Sequence, residues 1–357
     1  MPVAIQKVTI EEFLQLAKQH PVFDVRSPGE YLHAHIPAAH NLPLFSDEER
    51  KAVGTAYKQE SRETAIKIGL DYFGVKMKKM IEDAEAIVDQ HNKAANNKEQ
   101  NTKHIALVHC WRGGMRSAGV AWLLDLYGFK VYTLVGGYKV FRKWTLQQFE
   151  KEYAFNIIGG YTGSGKTLLL HEFKKKNKSI VDLEALANHK GSAFGGMGKQ
   201  PSQEMFENLL ALSLNAQELA PTYLEDESQR IGNLQIPMPL WNTIRKSPVF
   251  FVDIPFEKRL EYITSEYGKL EKEKLVNAVI RIQKRLGGLE TKNAINFLLE
   301  DNIKESFRIL LKYYDKWYGK ALINRENLSS LLNKIPCLDV DTTTNVQKIL
   351  ECNIVNA

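Results

Sequence analysis

Cysteine is scarce: Cys110, Cys337 and Cys352 are the only thiols in 357 residues. Three thiols cannot build a disulfide framework, so the fold must rest on packed cores, and a reducing cytoplasmic setting is expected. Long apolar runs are absent as well. None approaches the ~18 residues that cross a bilayer, so no membrane segment is expected. The opening Met-Pro-Val-Ala-Ile-Gln-Lys lacks the basic-then-apolar order of a secretory leader. No short-period repeat and no low-complexity tract is found. There is no basic tail either. Residues 1–150 carry 20 basic and 17 acidic side chains and the remainder 28 and 25, an excess of +3 in each part of the net +6. A surface for an anionic partner must therefore be assembled by folding. What is present is ordinary for a globular chain. Hydrophobic residues make up 44% and charged residues 25%, which excludes disorder throughout. The 5 Trp, 14 Tyr and 16 Phe can fill sizeable cores, and the length suits two or three domains at roughly 100–200 residues each.

Residues 1–145 alternate short apolar strands with helical stretches. Strands are predicted at Ile5–Thr9, Val22–Val25, Ile105–His109 and Val131–Leu134. Helices are predicted at Ile10–Gln19, across 46–92 and at Arg116–Tyr127, with an exposed loop at Asn92–Thr102. The alternation implies a parallel sheet covered by helices. Residues 138–154 read as a connecting helix. A second α/β pattern follows, with strands at Ala154–Ile158, Ile180–Leu183 and Val249–Ile254, a helix at Lys166–Lys176, and mostly helix from Glu257 to Glu326. The expected domains are 1–145 and 146–357. The run Lys174-Lys175-Lys176 reads as a solvated helix end.

The first chemical site is His109-Cys110-Trp111-Arg112-Gly113-Gly114-Met115-Arg116-Ser117, between a strand and a helix. Two glycines permit a tight loop whose amides point at the sulfur, and the helix adds its positive end. Arg112 and Arg116 add charge. These features favour a thiolate and an anionic adduct on it. The bland alternative, a buried structural cysteine, suits Cys337 and Cys352 better. The string satisfies two patterns, a phosphatase loop in which arginine grips phosphate and a sulfur-carrying loop. Its surroundings choose between them. Asp24-Val25-Arg26-Ser27-Pro28-Gly29-Glu30-Tyr31, His35-Ile36-Pro37-Ala38-Ala39 and Asn41-Leu42-Pro43 resemble the first rhodanese signature, and Val135-Gly136-Gly137-Tyr138-Lys139-Val140-Phe141 the closing one. The resemblance spans about residues 5–145, and the loop from Cys110 to Met115 has the short length of the sulfur carriers. It implies that Cys110 carries sulfur or selenium, and that Asp24 and Arg26 orient nearby loops.

The second site is Gly160-Tyr161-Thr162-Gly163-Ser164-Gly165-Lys166-Thr167, a G-x-x-x-x-G-K-T string that follows a strand and opens a helix. Its amides would cradle a di- or triphosphate, Lys166 would neutralise it, and Thr167 offers a ligand to Mg²⁺. Asp182, ending Ser179-Ile180-Val181, is the preferred partner acid, and Asp253 a second candidate; either is alternatively a helix cap. Arg281, Lys284 and Arg285 form a basic helical stripe, a lid or RNA contact if not a solvated face. Two polar segments read as functional loops and not core. The first runs from Leu183 through Glu184, His189 and Lys190 to Gly196. The second runs from Tyr223 through Glu225, Glu227 and Arg230 to Gly232.

The pairing of these two sites, with Asp-Leu-Glu-Ala-Leu-Ala-Asn-His-Lys-Gly-Ser-Ala-Phe-Gly at 182–195 and Glu-Asp-Glu-Ser-Gln-Arg-Ile-Gly at 225–232, resembles the tRNA 2-selenouridine synthase family over nearly the whole chain. At Lys190 the resemblance leads one to expect arginine as often as lysine, a mild departure that keeps the positive charge. The resemblance implies a rhodanese-like parallel sheet followed by a P-loop NTPase-like α/β domain with a mostly helical C-terminal part. It also implies a transferase that replaces the sulfur of wobble 2-thiouridine in tRNA by selenium. Selenophosphate would be the donor, S-geranyl-2-thiouridine the intermediate, geranyl diphosphate a co-substrate and Cys110 a perselenide carrier. The P-loop would hold geranyl diphosphate or selenophosphate; no tightly bound cofactor is implied beyond Mg²⁺ at Thr167. Phe194, Met197, Met205, Phe206, Met238 and Trp241 are candidates for a geranyl slot. Lys199, Arg230, Arg281, Lys284 and Arg285 are candidates for the tRNA anticodon stem–loop surface. A monomer in the cytoplasm is expected. Two other readings of the same motifs stay open: a nucleotide-dependent kinase fused to a sulfurtransferase module, and a non-catalytic RNA-binding protein.

Overall fold

The computed structural model describes residues 5–94, 104–189, 198–217 and 221–355. Most of the expected loop at 92–102, the segment 190–197 with Lys190, and the slot candidates Phe194 and Met197 lie outside the described residues. The chain divides into two compact units: Met1–Gln148 together with Glu207–Leu212, and Phe149–Phe206 together with Ser213–Ala357. Among the described residues no helix is long and apolar enough to cross a membrane.

The first unit holds strands β1 (Gln6–Val8), β2 (Val22–Asp24), β3 (His40–Asn41), β4 (Ile105–His109) and β5 (Lys130–Leu134). They form one sheet, ordered β1-β5-β4-β2-β3, with every pairing parallel. Parallel sheets are covered on both faces, which is why Ile105–His109 reads as a continuous apolar run and not an alternation. Helices α1 (Ile10–Leu16), α2 (Pro28–His33), α3 (Asp47–Gln59), α4 (Arg62–Gly74), α5 (Met77–Ala94), α6 (Met115–Tyr127) and α7 (Gly137–Gln148) fill the crossovers. The core joins Val108 and Val131 of the sheet to Ala84 and Val88 of α5 and to Val120 and Leu124 of α6.

Local signals set the helix ends. Thr9 with Glu12 and Ser46 with Glu49 form capping boxes that start α1 and α3, each worth about 1 kcal/mol. The helical stretch expected over 46–92 is broken twice. Ser61 leaves the helix to cap α4 through the Thr64 N–H, and the chain turns again before Met77. Asn92 to Ala94, expected as loop, are the last turn of α5. The connecting helix expected to reach 154 stops at Gln148, and Phe149 just beyond it is buried.

The second unit is again a parallel α/β sheet. Its strands and helices run β6 (Phe155–Gly159), α8 (Lys166–Lys175), β7 (Ile180–Val181), α9 (Leu183–Leu186), α10 (Gln203–Asn215) and β8 (Thr222–Glu225). A short antiparallel pair, β9 (Arg230–Ile231) and β10 (Leu234–Gln235), precedes α11 (Met238–Lys246) and β11 (Val249–Asp253). The helical part is α12 (Phe256–Tyr267), α13 (Lys272–Leu286), α14 (Gly288–Leu299) and α15 (Ile303–Ile323). The chain ends α16 (Leu328–Leu331), β12 (Leu332–Pro336) and α17 (Thr342–Val355). The sheet order is β12-β11-β6-β8-β7, all parallel, with the P-loop strand β6 in the centre.

One expectation is corrected here. Tyr223 to Glu225, read as part of a functional loop outside the core, is a buried strand paired along β6. The polar residues that follow it masked a strand of only four residues. A further feature is α10. Its stretch Glu207–Leu212 groups with the first unit, where Asn208 donates to the His35 carbonyl and to the Tyr138 hydroxyl, each at 2.9 Å. Arg142 pairs with Glu207 at 2.6 Å beside it.

Candidate active sites

Cys110 follows the last residue of β4, and α6 begins five residues later at Met115. The loop between them folds tightly because Gly113 adopts a φ of 66°, where a Cβ would lie 2.7 Å from the Leu134 carbonyl oxygen. Gly137 is equally constrained: a Cβ there would meet the Cys110 oxygen at 2.3 Å. The closing segment is tied to the loop by the Tyr138 N–H on the Cys110 carbonyl (2.8 Å) and the Lys139 N–H on the Trp111 carbonyl (3.0 Å). The Cys110 sulfur is buried at 3% exposure, 3.3 Å from the Gly114 N–H and 3.2 Å from the Ser117 hydroxyl. Burial pushes the thiol up. The Ser117 hydroxyl and the backbone N–H groups of Ser117, Arg112 and Gly114 outweigh that, leaving the thiol below its ordinary range.

The two arginines act less directly than their proximity in sequence implies. Arg116 donates to Glu30 at 2.8 Å, and Arg50 joins the same carboxylate at 3.0 Å. Arg112 is exposed, as are Trp111 and Met115 at 38% and 54%. Asp24 and Arg26 form a buried ion pair. Arg26 also donates to the Ala34 carbonyl and lies 3.8 Å from the Tyr138 ring centroid. This pair braces the loops around Cys110 without touching the sulfur. His109 is fully buried, and burial lowers its pKa, so it sits neutral among Phe13, Tyr138 and Asp24.

In the second unit, β6 leads through the P-loop into α8. Gly163 takes a φ of 84°, and a Cβ there would lie 2.6 Å from Ile263. Gly160 and Gly165 also have positive φ, and Ser164 is buried. Lys166 Nζ donates to the Gly160 carbonyl at 3.1 Å and lies 5.7 Å from the Tyr318 ring. Thr167 Oγ1 donates to Glu184 at 3.5 Å. Two ion pairs hold the loop, one of them fully buried. Arg259 donates to the Thr162 carbonyl at 3.0 Å and binds both oxygens of Asp315. Arg325 pairs with one oxygen of Asp226 at 2.7 Å. The other oxygen accepts from Tyr318 at 2.6 Å, and that hydroxyl in turn accepts the Gly160 N–H.

A cavity of about 1000 Å³ opens at this loop. Lys166, Thr167, Asp182, Glu184, Glu225 and Glu227 line its polar end. Trp241, Tyr262, Phe307, Leu311, Tyr314 and Trp317 line the remainder, mostly from α12 and α15. Of the slot candidates among the described residues, only Trp241 lines it. Phe206 is wholly buried core, Met205 lies on α10 away from the cavity lining, and Met238 is exposed and accepts from Gln229. Glu184, Glu225 and Glu227 bring carboxylate oxygens within 4.8 Å of one another. Burial and the charges of Glu227 and Glu184 push Glu225 well up. Burial and Glu184 raise Glu227 to about 8, with Lys166 opposing.

Asp182 lines the cavity but caps α9 through the Ala185 N–H (2.9 Å) and contacts His171 at 3.1 Å. Asp253 pairs with Lys334 at 3.0 Å and lies away from the lining. His189 has a buried Nδ1 without a hydrogen-bond partner and does not line the cavity. Lys199, Arg230, Arg281, Lys284 and Arg285 are all exposed and none lines it. Asp226, Arg259, Asp315, Tyr318 and Arg325 are the residues sequence reasoning missed. Each is separated from its partner by 56 to 158 positions, which leaves no local pattern.

Comparison with known proteins agrees with the two-part architecture. A family model described as the rhodanese-like domain matches residues 9–143, and one described as the tRNA 2-selenouridine synthase AAA domain matches residues 153–331. A curated relative from Sulfurovum sp. (strain NBC37-1), named tRNA 2-selenouridine synthase, is 35% identical over 87% of this chain and 91% of its own. Relatives of the same name from Nitrosomonas europaea and Hydrogenovibrio crunogenus are 37% and 33% identical, over 69% and 87% of this chain and 63% and 91% of theirs.

Proposed function

Because the chain belongs to the tRNA 2-selenouridine synthase family, we propose that it converts wobble 2-thiouridine of tRNA to 2-selenouridine through an S-geranyl intermediate. Geranyl diphosphate occupies the P-loop cavity, selenophosphate is the selenium source, and Cys110 carries the selenium. The observation that carries this reading is the joining of a phosphate cradle to an aromatic wall in one cavity of about 1000 Å³. An isoprenoid tail is apolar along its whole length and gains about 25 cal/mol for each Å² it removes from water.

The thiocarbonyl sulfur attacks C1 of geranyl diphosphate. A C–S bond forms, the C–O bond breaks with its electron pair on the departing diphosphate, and the base gives up its N3 proton. The P-loop N–H groups and Lys166 take the charge that grows on the leaving group. The faces of Trp241, Tyr262 and Tyr314 favour positive charge developing at the allylic carbon. The thioether is a better leaving group than the thiocarbonyl sulfur it replaces. Selenium held on Cys110 attacks C2, a C–Se bond forms, and geranylthiol leaves with the C–S pair. A small thiol attacks the Cys110 sulfur and frees the selenium, becoming half of a mixed disulfide. Selenophosphate selenium then attacks that Cys110 sulfur, the small thiol leaves with the S–S electron pair, and water takes the phosphoryl group as phosphate, which restores –S–Se⁻ with no outside oxidant. The lowered Cys110 pKa and the amides around its sulfur suit an anionic –S–Se⁻ group. Thr167 offers the hydroxyl ligand that a Mg²⁺ accompanying the diphosphate would take. Lys199, Arg230, Arg281, Lys284 and Arg285 are exposed, and we assign the anticodon stem–loop contact to them.

The test is nucleoside mass spectrometry of tRNA treated with variants of the full chain. Cys110→Ala is expected to lose 2-selenouridine and accumulate S-geranyl-2-thiouridine. Lys166→Ala is expected to lose both. Loss of geranylation in Cys110→Ala would overturn this division of labour. Steady ATP or GTP hydrolysis without geranyl diphosphate binding would favour the kinase reading instead.

A further inference from the structure

We propose that Glu184, Glu225 and Glu227 hold a divalent, oxygen-preferring cation of the Mg²⁺ or Mn²⁺ class at the P-loop end of the cavity. This trio, and not Asp182 or Asp253, would supply the acids facing the bound phosphates. The proposal rests on the reading that the cradle takes a diphosphate.

Four observations carry it. The first is spacing. The three carboxylates offer oxygens within 4.8 Å of one another, and oxygens sharing one octahedral Mg²⁺ stand about 2.9–4.2 Å apart for bonds of about 2.1 Å, within reach of a small side-chain adjustment. The second is Glu225 itself. It is 2% exposed, and its Oε1 has no hydrogen-bond partner. Buried carboxylate oxygens are satisfied by a donor or a cation in nearly all proteins, so an orphaned one facing two further carboxylates points to a cation. The third is charge. Three carboxyl groups this close stay ionised beside an anionic diphosphate only with a cation of at least +2 between them. Lys166 alone does not offset them, since its ammonium is also shared with the Gly160 carbonyl.

The fourth is placement. Glu225 ends β8 and Glu227 lies two residues on, beside the P-loop strand β6, while Glu184 sits on α9 just after β7. All three therefore stand at the carboxyl ends of adjacent parallel strands, where the P-loop also opens. The Thr167 hydroxyl already reaches Glu184, so it can join the same ion. The competing acids are committed elsewhere, Asp182 to the α9 cap and His171, Asp253 to Lys334.

The test uses the full chain and Mn²⁺ alone, followed by the loss of the free-ion electron paramagnetic resonance signal. One tightly held Mn²⁺ per chain is expected. Glu225→Gln and, separately, Glu184→Gln are expected to weaken it at least tenfold. The thermal midpoint of the parent should rise with Mn²⁺ while that of Glu225→Gln should not, and the metal-free midpoint of each variant reports that it is folded. Absence of Mn²⁺ binding at millimolar concentration, or equal binding by all the variants, would overturn the proposal. Geranyl diphosphate binding is measured in parallel with and without EDTA. Mn²⁺ binding without geranyl diphosphate binding upholds the metal site and sinks the prenyl reading. Geranyl diphosphate binding that EDTA leaves unchanged, with no Mn²⁺ bound, does the reverse.

Discussion

Cys110 and Lys166 stand at the same kind of junction, where a central parallel strand runs through a glycine loop into a helix, yet the two loops are surrounded by opposite chemistry. Around the Cys110 sulfur the groups that favour its charge are neutral dipoles, the Ser117 hydroxyl and backbone amides, while Arg116 is paired with Glu30. Around the P-loop, three carboxylates crowd the cavity that Lys166 enters. A sulfur or selenium anion carries a single charge, and a few aligned N–H groups suffice for it. A diphosphate carries several, and an acid-lined cavity can accept it only with cations in attendance. The two loops share one device. Each is braced by a buried arginine–aspartate pair, Arg26–Asp24 in the first unit and Arg325–Asp226 in the second.

The largest effect should come from breaking a brace. Arg325→Met leaves Asp226 buried without its partner, and removing one member of such a pair costs about 3–5 kcal/mol. Urea denaturation of the full chain, followed at the less stable transition, measures it; a loss below about 1 kcal/mol would deny the brace its role. Arg26→Met should cost a similar amount in the first unit, and unequal losses would break the parallel. A smaller effect is expected from Gly113→Ala. The positive φ and the approach to the Leu134 carbonyl make alanine strained there, by about 1–3 kcal/mol. Iodoacetamide labelling of Cys110 should slow in the same variant, because the loop amides leave the sulfur. The smallest is Ser117→Ala, which removes the hydroxyl that holds the thiol pKa down. Alkylation of Cys110 should fall several-fold near neutral pH as the thiol pKa rises, and recover as pH increases. An unchanged pH profile would assign the lowering to the amides alone. The sign for stability follows. A thiol lowered on folding stabilises the protein above the ordinary thiol pKa of about 8.5, and that contribution is lost as pH falls through the lowered value.

Both glycine loops were legible in the sequence because what they need is local. A strand, two or three glycines at fixed spacing and a helix start lie within ten residues of one another. The alternation that implied two parallel sheets is local for the same reason. What holds the loops is not. Tyr318 is 158 positions from the Gly160 N–H it receives, and Arg325 is 99 from Asp226. An arginine destined for burial looks like any other on an exposed helix. Strand β8 was concealed because its apolar part is only Tyr223-Leu224 and acids follow at once. Asp182 looked like the better partner acid because it ends an apolar strand. The same position is also a good helix cap, and in the fold the cap takes the carboxylate. Apart from Trp241 on α11, the aromatic wall comes from α12 and α15, more than 90 residues beyond the P-loop, so no spacing in the sequence linked them.

Helix α10 gives the architecture a consequence for modularity. The first unit is not a continuous stretch of chain, since Glu207–Leu212 belongs to it. Residues 1–148 made alone would omit Asn208 and Glu207, and with them the bonds to His35, Tyr138 and Arg142. Tyr138 is the ring beneath Arg26, and its N–H fixes the Cys110 carbonyl. A carrier module excised at the apparent boundary, or transplanted onto another protein, would therefore arrive without one of its own supports. Supplying residues 203–215 as a separate peptide is the natural complement.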